Sequence, residues 1–104
     1  MGAAQENGAE ADDGSVAFYG SYIKEAPKEK LESLGLKAGV EIVELGQGKL
    51  MEAGATEGFI ILYVNDQPVR TPQDVIDMVK KSKRAVFVEG VTPSGRPGYF
   101  GFGL

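Results

Sequence analysis

The chain reads as a single α+β domain, a partly open β-barrel of five to six short strands with two to three short helices. Three features predict it. Residues 59–64 form an unbroken apolar run of strand length, the pattern of a strand covered on both faces. Residues 85–91 and 97–104 are two β-rich runs joined by Thr92-Pro93-Ser94-Gly95-Arg96, so they pair as a hairpin. Between these runs, Thr71-Pro72-Gln73-Asp74 opens a helix, with Thr71 as N-cap, proline at the first helical position and Asp74 completing a capping box.

The remaining elements follow in chain order. Residues 1–14 are rich in Gly, Ala, Glu and Asp and contain no aromatic side chain, so they read as a disordered acidic tail or linker; order is expected from Ser15. Residues 16–23 are dense in β-formers, with Gly20 as the bend between two extended pieces. A short helix opened by Pro27 places Leu31 and Leu34 on one face and stops at Gly35. Residues 39–45 alternate in part, which suits a strand exposed on one side. Residues 49–54 make a turn and a half of helix ended by Gly54. Asn65 and Asp66 tolerate left-handed angles and mark a tight turn into a short extended piece at Gln67-Pro68-Val69. In the helix of residues 71–82, positions 75, 78, 79 and 82 form one stripe, and Ile76 and Lys80 form a second edge beside it. Tyr99, Phe100 and Phe102 are expected to pack between sheet and helix.

Composition narrows the chemistry. The chain has 104 residues, 42% hydrophobic, enough for one domain and too few for two. It contains neither Cys nor His, which removes disulfides, thiol nucleophiles, soft metal sites and a Ser-His-Asp arrangement. A Ser-Lys pair at Ser82 is formally open, but the lysines beside it are exposed and charged. The carboxylates are scattered rather than paired in apolar surroundings. No enzymatic activity is expected of this stretch, and no metal or cofactor. The net charge is −4, with 15 acidic and 11 basic residues, and the basic cluster Lys80, Lys81, Lys83 and Arg84 falls where cations complement a helix C-terminus; nucleic acid is not an expected partner. No run of about 18 or more apolar residues is present. The first residues lack the basic and apolar regions of a signal peptide, so the chain is expected to be cytosolic or a piece whose export signal lies upstream.

The ordered set Gly39-Val40, Ala53-Gly54, Gly58 with Ile60-Ile61, Asn65-Asp66-Gln67-Pro68-Val69 and Thr71-Pro72-Gln73-Asp74-Val75 resembles a bacterial PDZ domain. It is similar in particular to the C-terminal PDZ domain of the HtrA/Deg serine proteases, and the close Glu89-Gly90-Val91-Thr92-Pro93-Ser94-Gly95 with Tyr99-Phe100 resembles the same group. The resemblance covers residues 15–104. It implies a peptide-binding module of a trypsin-like serine endopeptidase of the periplasm or cell envelope, engaged in protein quality control. Its partners would be polypeptide C-termini, unfolded segments or neighbouring subunits.

The resemblance also implies where a ligand sits. A C-terminal segment adds as a strand beside a helix, with its carboxylate held by backbone N–H groups of a glycine-containing loop. By position that loop is Phe18, Tyr19, Gly20 and Ser21, with Tyr22 and Ile23 continuing the strand edge; Ile76, Val79 and Lys80 would form the facing helix edge. Where the family carries Leu-Gly-aliphatic, this chain has Tyr19-Gly20-Ser21, which implies a narrower or more polar pocket. An alternative use of the same fold is oligomer or cage assembly, or regulation, without substrate capture.

Overall fold

Short turns and capped helices set the element boundaries. The computed structural model describes residues 7–104, in the order β1 (Val16–Phe18), β2 (Ser21–Glu25), α1 (Lys28–Ser33), β3 (Val40–Glu44), α2 (Lys49–Glu52), β4 (Ile60–Val64), β5 (Gln67–Pro68), α3 (Pro72–Lys81), β6 (Ala85–Val91) and β7 (Pro97–Gly103). The fold is α+β. Its strands form one antiparallel seven-stranded sheet in the order β1-β2-β3-β4-β6-β7, with β5 paired to β4; the sheet is not closed, and it is compatible with a PDZ-like partly open barrel.

Local chemistry accounts for the boundaries. The Thr71 hydroxyl accepts the Asp74 N–H at 3.2 Å, and Asp74 Oδ2 accepts the Thr71 N–H at 3.3 Å, completing the expected box at the start of α3. Helices α1 and α2 both stop in the same way. Gly35 N–H donates to Glu32 and Leu36 N–H to Leu31, while Gly54 N–H donates to Met51 and Ala55 N–H to Leu50. These paired bonds are the Schellman termination, which satisfies the last helical carbonyls.

The core lies between the inner sheet face and α3. Phe18, Ile23, Ile42, Leu50, Val75 and Val86 are fully buried in one cluster, with Phe59 packed edge-on against Phe100 at 5.5 Å between ring centroids. Three expectations are corrected here. Glu41 is not on an exposed strand face: it is buried and pairs with Lys30 at 2.8 Å, the ammonium neutralising a carboxylate taken out of water. The strand of residues 60–64 is not covered on both sides throughout, because a register shift between Ile61 and Tyr63 leaves Tyr63 43% exposed. Tyr99 does not pack inward with Phe100 and Phe102. Successive strand side chains alternate, so Tyr99 faces solvent at 86% exposure.

The onset of structure also differs from Ser15. Gly8 N–H donates to the Ala17 carbonyl and Ala17 N–H donates to the Ala9 carbonyl, both at 2.8 Å, and Glu10 bridges Val16. Small residues let these two backbones run side by side, although residues 7–14 lack a hydrophobic set of their own. The part of the expected tail at residues 1–6 lies outside the described residues.

Candidate peptide-binding groove

Four of the expected groove residues meet inside the hydrophobic core. Phe18 and Ile23 are fully buried, Ile76 is 2% and Val79 8% exposed, and all four belong to the same cluster. Ser21 and Ile23 point inward from β2, and Tyr22 stands on its other face, half-buried, beside Ala11, Asp12, Asp13, Ser15 and Glu44. Lys80 is exposed at the last turn of α3. Of the expected facing helix edge, Ile76 and Val79 are therefore core, and Lys80 alone is exposed.

The expected carboxylate loop is a two-residue hairpin turn. Phe18 pairs Ser21, so Tyr19 and Gly20 are the turn, with φ of 50° and 83°. Left-handed angles at both central residues are the type I′ signature, which matches the twist of the flanking strands. The turn is tied on both sides. Asn7 Oδ1 accepts the Tyr19 N–H at 2.8 Å, and the Ser21 hydroxyl accepts the Gly46 N–H at 3.0 Å. A Cβ at Gly20 would collide with the Gln47 carbonyl, one at Gly46 with the Gly20 carbonyl, and one at Gly48 with the Tyr19 carbonyl. Only glycine at these positions lets the two backbone loops touch. The Tyr19 ring is half-buried, 5.0 Å from Phe18 and 5.1 Å from Phe102, both edge-on.

The placement of Tyr22 and Ile23 on a free strand edge is corrected. β2 is paired on both sides, to β3 and to β1, with Val16 opposite Ile23 and Ala17 opposite Tyr22. The sequence treats Gly20 as a simple bend, whereas a two-residue turn folds residues 16–18 back onto β2. Beyond β1, residues 8–10 cover the next edge, and a Cβ at Gly8 would lie 3.8 Å from Ile76 Cγ2. Residues 8–10 thus lie against β1, which lies against β2, and Gly8 approaches Ile76 of α3. The pattern that could have revealed β1 is the apolar run Val16-Ala17-Phe18 just before a Tyr-Gly turn.

Charge at this site is modest. Asp13 Oδ1 accepts both the Ser15 hydroxyl at 2.6 Å and the Ser15 N–H at 3.0 Å. These bonds, the hydroxyl one foremost, hold the Asp13 carboxyl below its ordinary value of 3.8. A separate depression of about 650 Å³ is lined by Asn65, Asp66, Ser82, Lys83, Arg84, Ala85 and Phe87. No family model and no curated protein matches the chain.

Proposed function

We propose that this chain is a non-catalytic peptide-binding domain of PDZ type, part of an HtrA/Deg-type envelope serine protease, that takes C-terminal or extended segments by strand addition beside α3. The observation that carries this reading is the seating of β1. It runs antiparallel to β2, ends at the Tyr19-Gly20 turn, and buries its last residue, Phe18, with Ile23, Ile76 and Val79. That is the polarity and the terminal apolar side chain that strand addition asks of a ligand. An incoming segment has to displace β1, so its apparent affinity is reduced by the fraction of molecules with β1 in place.

The test is titration of labelled peptides ending in Phe, Leu or Val, with free and with amidated C-termini, against the chain and its Gly8→Pro variant. Free-carboxylate peptides are expected to bind, amidated ones to lose binding, and the variant to bind several-fold tighter. Absence of binding to both proteins overturns the reading, and equal binding of amidated peptides overturns its C-terminal mode and leaves capture of extended segments. A second reading is favoured by the pairing of β2 on both sides: the domain then serves subunit assembly or regulation instead of capture. Sedimentation showing concentration-dependent association, together with no peptide binding, supports that one.

A further inference from the structure

The two ends of the sheet are finished differently. At the β1 end, both outward groups of Ala17 are bonded by residues 8 and 9. At the other end, β7 has no strand on its outer side among the described residues. Its free groups can be assigned. Leu104 N–H donates to the Arg84 carbonyl and Thr92 N–H to the Arg96 carbonyl, so the hydrogen-bonded pairs of the β6–β7 ladder are the even-numbered ones. Alternation then turns the N–H and C=O of Tyr99 and Gly101, and the N–H of Gly103, outward. The Gly103 carbonyl is taken by Lys49 Nζ at 2.9 Å, which closes one end of this edge, and Pro97 brings no N–H to the other.

The solvent face beside that edge carries a cross-strand row. Tyr63 stands opposite Glu89, and Glu89 opposite Tyr99, on β4, β6 and β7. Tyr99 is 86% and Phe87 64% exposed, and the Phe87 ring lies over Gly101, where a Cβ would come within 2.9 Å of it. Glu89 is exposed, and among the described residues it has no ion-pair partner. A carboxylate between two tyrosine rings is complementary to a cation, since ring faces and carboxylate attract the same charge.

We propose that β7 is a second strand-addition edge, whose partner is an extended segment carrying a Lys or Arg opposite Tyr99. Glu89 lies two strands in, roughly 10 Å from an added strand. A long basic side chain crosses the Tyr99 ring to meet it, with its stem on the aromatic face and its charge at the carboxylate. A second copy of β7 fits less well, because residues 97–104 contain no charged side chain and would leave Glu89 without a counter-charge.

The probe is an acetylated, amidated hexapeptide of alternating Thr and Val with one central Lys, followed by amide chemical shifts of the whole chain. Binding beside α3 would shift the amides of residues 21–25 and binding at β7 those of residues 99–103, so the two proposals stand or fall separately. Shifts are expected at Tyr99, Gly101 and Gly103 and not across residues 21–25. Replacing Lys with norleucine, or introducing Glu89→Gln or Tyr99→Ala, each weakens binding about threefold to fivefold. Both substitutions are at exposed positions, so the fold is retained. No shift at β7 at millimolar peptide, equal binding of the norleucine peptide, or concentration-dependent shifts of the same amides without peptide each overturn the proposal.

Discussion

Asn65 and Phe87 hold each other by a reciprocal pair of bonds: the Asn65 N–H donates to the Phe87 carbonyl and the Phe87 N–H donates to Asn65 Oδ1, each at 2.7 Å. The remaining amide group of Asn65 donates to the Ser82 hydroxyl at 2.7 Å, and that hydroxyl donates to the Met78 carbonyl at 2.8 Å. One turn residue at φ 49° therefore joins β4, β6 and the end of α3. Replacing it tests two causes separately. Asn65→Ala loses the side-chain bonds and strains a left-handed backbone, an expected destabilisation of about 2–3 kcal/mol. Asn65→Gly keeps the backbone comfortable and is expected to lose about 1–2 kcal/mol. Urea unfolding measures both, and equal losses would show that the backbone angle does not matter.

The contact between the Tyr19-Gly20 turn and residues 46–48 predicts a contrast between two glycines. Gly20 and Gly35 both have positive φ, 83° and 72°, but a Cβ at Gly35 meets nothing within 4 Å while one at Gly20 collides with the Gln47 carbonyl. Gly35→Ala is expected to cost about 1 kcal/mol, and Gly20→Ala about 3 kcal/mol or more. Comparable melting temperatures for the two variants would contradict the close approach.

The leading segment should come away without unfolding the domain. Gly8 has φ 94° and donates its N–H to Ala17, and proline permits neither. In Gly8→Pro, hydrogen exchange at the Ala17 amide is expected to quicken about tenfold or more, while global stability falls by about 1 kcal/mol or less. Unchanged protection at Ala17 would mean that residues 8–9 do not hold β1.

Acid should loosen the same region. The Asp13 carboxyl lies below its ordinary value because its ionised form accepts two bonds from Ser15. Whatever the turn adds to stability is therefore complete above the ordinary carboxylate range and is lost as pH falls through the lowered value. Following the Ser15 amide shift with pH should give a midpoint below 3.8, and a midpoint at or above it contradicts the bond.

Much of the scaffold was legible in the residues because its causes are local. Thr71-Pro72-Gln73-Asp74 is a helix start by its own side chains, Gly35 and Gly54 are helix ends by their backbone freedom, and Asn65-Asp66 is a turn wherever it occurs. Tyr99 was also within reach, since strict alternation from buried Phe100 and half-buried Phe102 puts it on the opposite face. The bonds from Asn65 to Phe87 and Ser82 could not be read, because partners 17 and 22 residues away meet only after folding.

The sequence by itself determined the α+β class and the element order, because periodicity, caps and turn residues act within a few positions of one another. Which strand edges are open was decided only by tertiary structure. The two-residue turn at Tyr19-Gly20 returns residues 16–18 to the side of β2, residues 8–10 cover the far side of β1, and β7 is left with its outer backbone groups unpaired. An unpaired N–H or C=O is a relation between distant segments of backbone, and backbone carries no side-chain signature of who its neighbour will be.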